Sequence, residues 1–224
     1  MGGETMHFEI LVEDQSGAIT VGIILQKIFG PNNQTYTYKI HPYKSIGRLP
    51  ANLIGQTDPE KRILLDRLPK ILRGYAHSLQ HIEAAVLVVV DLDRRDCLQF
   101  KQELVNLSIK CCPSLRVLFR IAIEEIEAWL LGDQRALKKV YPSAKDSVLN
   151  SYIQDSICDT WEKMSDALYP GGSAKLKTLG YPIIGEVKNE WAKNISPQID
   201  INNNNSKSFQ VFCSGVRRLA GIAT

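Results

Sequence analysis

A chain of 224 residues, 44% hydrophobic and 23% charged, can bury a sizeable core as one large domain or a domain with a small appendage. Its formal net charge of +3 is too small to argue for nucleic acid by itself, though it permits an acidic partner. No apolar stretch reaches the ~20 residues of a membrane span. Residues 1–6 carry no basic region followed by an apolar core, so no secretory signal is read there. The five cysteines, Cys97, Cys111, Cys112, Cys158 and Cys213, follow no zinc or disulfide spacing, and reduced thiols in a cytoplasmic protein are expected.

In chain order, residues 7–12 (HFEILV) read as a first strand that stops at Glu13-Asp14. Gln15, Ser16 and Gly17 make a turn, and residues 18–29 have helical apolar spacing through Val21, Ile24, Leu25 and Ile28. Residues 30–33 (GPNN) stop that helix. Residues 35–41 alternate as a second strand, and residues 42–57 form a polar loop carrying Lys44 and Arg48. Residues 59–79 are helical in pattern, with Pro69 expected to kink or divide them. A third strand spans 84–90, a helix 97–107, a fourth strand 115–123 and a helix 124–132. Beyond Asp133 the strand signals fade into helical or irregular segments at 136–141, 146–168 and 187–195. Loops follow from residues 170–172 and 202–205, and Ser206 or Ser208 is placed to cap a last helix. Alternation of β and α over the first ~130 residues predicts an α/β fold: a parallel, Rossmann-like sheet with helices on both faces. The division expected is an α/β core over 1–133 and a helical C-terminal extension over 134–224.

Residues 86–93 (VLVVVDLD) are the most informative stretch. A continuous β-branched run reads as a strand buried on both faces, and it ends in two carboxylates where open α/β sheets place their crevices. In extended chain Asp91 and Asp93 point the same way, and two like charges side by side call for a cation or a shared proton. Capping of the next helix explains them equally well. Glu13 ends the first strand, and Glu124, Glu125 and Glu127 open the helix after the fourth. Because the strands of a parallel sheet end on one edge, the three acidic clusters can converge. Mg²⁺ or Mn²⁺ is the cation such carboxylates would hold. Read as one helix, Glu124 and Glu127 share a face while Glu125 faces with Trp129. The helix dipole accounts for Glu124 and Glu125 at least as well as catalysis does, whereas Glu127, among apolar neighbours, would be costly to bury unpaired.

On these residues the chain resembles the Toprim fold of topoisomerases, primases and overcoming-lysogenization-defect nucleases: a strand ending in Glu13, then a hydrophobic strand ending in Asp91-x-Asp93. More closely, ILVEDQSG (10–17), VVVDLDRRDC (88–97) and RIAIEEIEAWLLGD (120–133) resemble a Toprim-related bacterial family of unknown function often encoded beside ABC-type ATPases in defence-like clusters. VKNEWAKNI (187–195) and SKSFQVF (206–212) are similar to that family's tail. The resemblance implies Glu13 as general acid/base or metal-facing glutamate, Asp91 and Asp93 as Mg²⁺ ligands, and Glu125 and Glu127 as further acids of the nuclease-like branch. Lys188 is either a phosphate-facing lysine or an exposed helix residue. The first motif departs from the nuclease pattern: Glu13-Asp14-Gln15-Ser16-Gly17 lacks the glycine after the first acid and the second acid itself. That leaves one metal, two metals or a degenerate site open.

Other motifs are weaker. Asp-x-Asp also resembles haloacid-dehalogenase phosphatases, but Arg94 and Arg95 follow where that motif has Thr or Val. No glycine-rich phosphate loop occurs, so the chain is not read as an ATPase itself. Lys44, Arg48, Arg94, Arg95 and Arg120 could surround the acidic crevice and offset its repulsion of phosphate. The expectation is a Mg²⁺- or Mn²⁺-dependent nuclease cleaving DNA or RNA beside an ABC-type ATPase subunit in phage defence, with homo-oligomers compatible. In that reading Glu13, Asp91, Asp93 and Glu127 are catalytic, and Glu13, Asp91, Asp93, Glu125 and Glu127 face the metal. A non-catalytic accessory subunit of an ATPase complex is the alternative.

Overall fold

The computed structural model describes residues 5–30, 33, 35–55, 58–156 and 158–223. Within the predicted stop after the first helix, Pro31 and Asn32 lie outside these residues, as do Gln56, Thr57 and Ile157 of later segments. The strands β1 (Met6–Val12), β2 (Tyr36–Pro42), β3 (Ala84–Asp91) and β4 (Val117–Ala122) form one parallel sheet in the order β2-β1-β3-β4. The register pairs Ile10 with Ile40 and with Leu87, and Val88 with Phe119. β3 lies inside the sheet, which is why seven consecutive apolar residues are buried there on both faces.

Strand alternation divides the core in two. Phe8, Ile10, Val12, Ala85, Leu87 and Val89 pack toward α1 (Gln15–Phe29) and the C-terminal helices. Leu11, Val86, Val88 and Val90 face α2 (Leu64–Ser78) and α3 (Cys97–Cys111) on the other side. Helices therefore cover both faces, as expected. The chain runs from β1 outward to β2, then crosses back to β3 and on to β4. The order thus reverses between β1 and β3, the place where doubly wound sheets open a crevice at their carboxyl ends.

Several boundaries differ from the sequence reading. α1 begins at Gln15, not after a turn, because the Asp14 side chain accepts the Gly17 N–H at 2.7 Å and caps the helix. The segment from Pro59 is divided ahead of Pro69: a 3-10 turn at Pro59–Lys61 ends at Arg62 with φ 50°, and α2 then runs unbroken through Pro69. The predicted helix over 124–132 shrinks to α4 (Glu127–Leu131), since Glu124 takes a left-handed backbone with φ 68°. Glu124 and Glu127 therefore do not share a helix face. Gly172, read as loop, opens a helix.

The C-terminal helices α5 (Gln134–Val140), α6 (Asp146–Asn150), α7 (Thr160–Leu168), α8 (Gly172–Leu179), α9 (Ile183–Ile195) and α10 (Lys207–Leu219) form the extension. Ile184, Trp191 and Ile195 of α9 and Phe209 and Phe212 of α10 are buried in the same cluster as α1 and β1. α10 is anchored on α4: Trp129 donates to the Ser208 hydroxyl at 2.9 Å and its ring stands 4.9 Å from that of Phe212. No described helix is long and apolar enough to cross a membrane, and the five cysteines are free.

Candidate functional site

A cleft of about 460 Å³ opens at the switch point. Its floor comes from the ends of β1 and β3, which deliver Glu13 and Asp91 from adjacent strands. Glu13 Oε2 accepts the Asp91 backbone N–H at 3.1 Å, tying the two strand ends together. Burial, reinforced by Asp93 and Asp14, pushes Glu13 up to about 7. Burial followed by the charges of Glu13, Asp14 and Glu127 raises Asp91 well above the usual carboxylate range.

Asp93 also lines the cleft, though by another route than the extended chain assumed from sequence. β3 ends at Asp91, and Asp93 has φ 51° in the following turn. Its exposed carboxylate stands 3.8 Å from Arg95. Glu125 enters from the β4–α4 connection and accepts the Trp161 backbone N–H at 2.9 Å. Burial and then Glu127 push it up to about 8.

Glu127 is 1% exposed and is not part of the lining. Its Oε1 meets Lys188 at 3.2 Å and the Ser16 hydroxyl at 3.4 Å, while its Oε2 has no hydrogen-bond partner among the described residues. Lys188 also stands 3.5 Å from Asp14 and lines the cleft. It is not the exposed helix residue that was one of the two readings from sequence. Although burial opposes its charge, Glu127, Asp14, Asp91 and Glu125 raise its pKa well above the usual lysine range. The one available sequence signal was its place on α9: Ile184, Lys188, Trp191 and Ile195 recur at helical spacing, so the lysine interrupts a core-facing stripe.

Glu124 turns away to accept hydrogen bonds from Tyr152 at 2.7 Å and Thr160 at 3.1 Å. Of the five basic residues expected around the crevice, Lys44 lines it. Arg94 pairs with Asp159 at 3.6 Å, Arg95 lies over Phe100, and Arg120 lines a different cleft along α10. Tyr43 adds an aromatic wall, as do Trp161 and Tyr181, which the sequence did not single out for this place.

The donors are carboxylate oxygens, which suit a hard divalent cation better than zinc. Among the described residues, however, no three acidic, histidine or cysteine side chains are grouped so that they could hold a metal ion by themselves. The fit is to a cation taking two carboxylates, Glu13 and Asp91 at the joined strand ends, with its other positions left to water and substrate oxygens. The orphaned Glu127 oxygen is a further buried acceptor close by.

Fold and site together define a doubly wound parallel α/β protein with an acidic cleft at its switch point. The chain belongs to the family described as domain of unknown function DUF4276, whose sequence profile matches residues 12–217. That span takes in Glu13, Asp91, Asp93, Glu125, Glu127 and Lys188. No curated protein and no solved structure matches the chain.

Proposed function

We propose that this protein is a Toprim-like, metal-dependent nuclease that cleaves phosphodiester bonds in DNA or RNA. The observation that carries the reading is the meeting of Glu13, Asp91, Asp93 and Glu125, from three separate strand ends, in one cleft at the sheet's carboxyl edge. Mg²⁺ or Mn²⁺ bound there would supply charge stabilisation to the attacking and leaving oxygens of the phosphodiester. Asp91 and Glu13 would hold it, with Asp93 at the rim. Where Glu13 does not hold the metal, its carboxylate at the cleft floor would assist proton transfer instead. Glu125 and Glu127 keep the pocket acidic, and Lys188 offsets part of that charge. Lys44 offers a cation to substrate phosphate, and Tyr43, Trp161 and Tyr181 offer faces on which unpaired bases can stack. The reading extends to an ABC-type ATPase partner, a defence role and a cytoplasmic setting through the resemblance of the three acidic motifs.

A second reading is favoured by one observation. Lys188 already supplies a cation between Asp14 and Glu127, as a non-catalytic accessory subunit retaining its acids could use to stay folded. Cleavage of labelled single- and double-stranded DNA and RNA with Mg²⁺ or Mn²⁺, beside Asp91→Ala, separates the two. The nuclease reading expects cleavage that Asp91→Ala lowers about a hundredfold or more. Absence of cleavage together with no metal-induced rise in melting temperature would favour the accessory reading.

A further inference from the structure

A second cleft, of about 700 Å³, runs between β4 and α10 and shares no lining residue with the acidic one. Its charged residues are Lys101, Arg120 and Arg218, and none of its described lining residues is acidic. Arg120 is the informative member, being only 7% exposed. Its Nη1 donates to the Phe119 carbonyl at 2.8 Å, but Nε has no hydrogen-bond partner among the described residues. A buried guanidinium with an unmet donor, and with no carboxylate paired to it among the described residues, is costly unless an anion completes it. The seat is also shaped: Gly215 of α10 lies against the guanidinium, and an added Cβ would stand 1.8 Å from Nη2.

An apolar pocket of about 200 Å³ adjoins this cleft and shares Lys101, Arg120 and Val211 with it. Phe119, Ile121 and Ile123 line it along the free edge of β4. The three cations of the cleft stand beside a mainly apolar recess that Lys207 also lines, and together the volumes suit a small organic ligand rather than a bare ion. A doubly charged phosphate neutralises such a cluster better than a single carboxylate, and arginine is the side chain that engages it in two places at once.

We propose that these joined pockets bind a phosphorylated small molecule of nucleotide size, its phosphate on Arg120, Arg218 and Lys101 and its apolar ring against Phe119, Ile121 and Val211. The site is independent of the nuclease reading. Burial, with Arg218 nearby, draws the Arg120 pKa down to about 10, the direction expected of a cation awaiting a counter-charge.

The test is calorimetric titration of the full chain with AMP in EDTA, which keeps divalent metal from bridging nucleotide to the acidic cleft. Because Arg120→Met removes a buried group and could fail to fold, the diagnostic variants are Arg218→Met and Lys101→Met, at exposed positions. Expected are saturable AMP binding, competition by inorganic phosphate, about tenfold weaker binding in each variant, and unchanged binding in Asp91→Asn. Three results would overturn the proposal: no AMP binding, binding untouched by both variants, or binding lost in Asp91→Asn. Binding of oligothymidylate without AMP would also overturn it, in favour of a nucleic-acid track.

Discussion

Replacing Lys188 with methionine would leave Asp14 and Glu127 facing each other with their shared cation gone. Breaking a buried ion pair from one side costs about 3–5 kcal/mol, because the remaining charge stays desolvated. Urea denaturation of Lys188→Met should show a loss of that order, and adding Glu127→Gln should recover a large part of it. A loss under 1 kcal/mol would mean that the lysine is not what holds these acids. At this scale the strand-end acids were legible, since Glu13 and Asp91 follow directly from where apolar runs stop. Glu127 was legible as a carboxylate in apolar surroundings. The pairing of Lys188 with Asp14 and Glu127 was not, because a lysine on an apolar stripe meets those acids only when α9 packs against α1.

Helix starts shape the cleft as much as the strands do. Asp14 caps α1 while also meeting Lys188, so the acid next to Glu13 acts on backbone and side chain together. The reading of Gln15–Gly17 as a turn missed this, since an N-cap and a turn share the same residues in sequence. Glu124 defeated the helix reading differently: its left-handed backbone is held in place by Tyr152 and Thr160, far along the chain. Ser206 was readable as a cap, and its hydroxyl accepts the Phe209 N–H at 3.3 Å. Ser206→Ala should cost about 1 kcal/mol in thermal unfolding, and it should leave any metal-induced stabilisation unchanged because it lies outside the acidic cleft.

Charge crowding in the cleft sets a pH dependence for the whole molecule. Glu13 and Glu125 are raised to about 7 and about 8 from an ordinary 4.5, so the folded chain holds protons that the unfolded chain has released. The stability this contributes is complete below about pH 4.5 and is lost as pH climbs through 7 and 8. The raised Lys188 acts only near and above its ordinary 10.5 and leaves this window untouched. In EDTA the melting temperature should therefore fall by several degrees between pH 5.5 and 8.5, and Glu125→Gln should flatten the slope. A flat or rising profile in the native chain would contradict the desolvation of these acids. Mg²⁺ or Mn²⁺ added at pH 8 should restore part of the loss if the cleft takes a cation.

Local pattern determined the strands, the two-sided burial of β3 and the parallel α/β class, because period and β-branching act over a few residues. It also marked the acids that terminate β1 and β3, since a carboxylate after an apolar run can hardly lie elsewhere than at a strand end. Tertiary structure decided which of these acids share a cleft. It placed Asp93 there through a left-handed turn, turned Glu124 away, buried Glu127 behind Lys188, and carried Arg120 to a separate cleft beside α10. Those outcomes depend on the crossover between β1 and β3 and on how α9 and α10 dock, and contacts between residues so far apart in sequence leave no periodic trace in it.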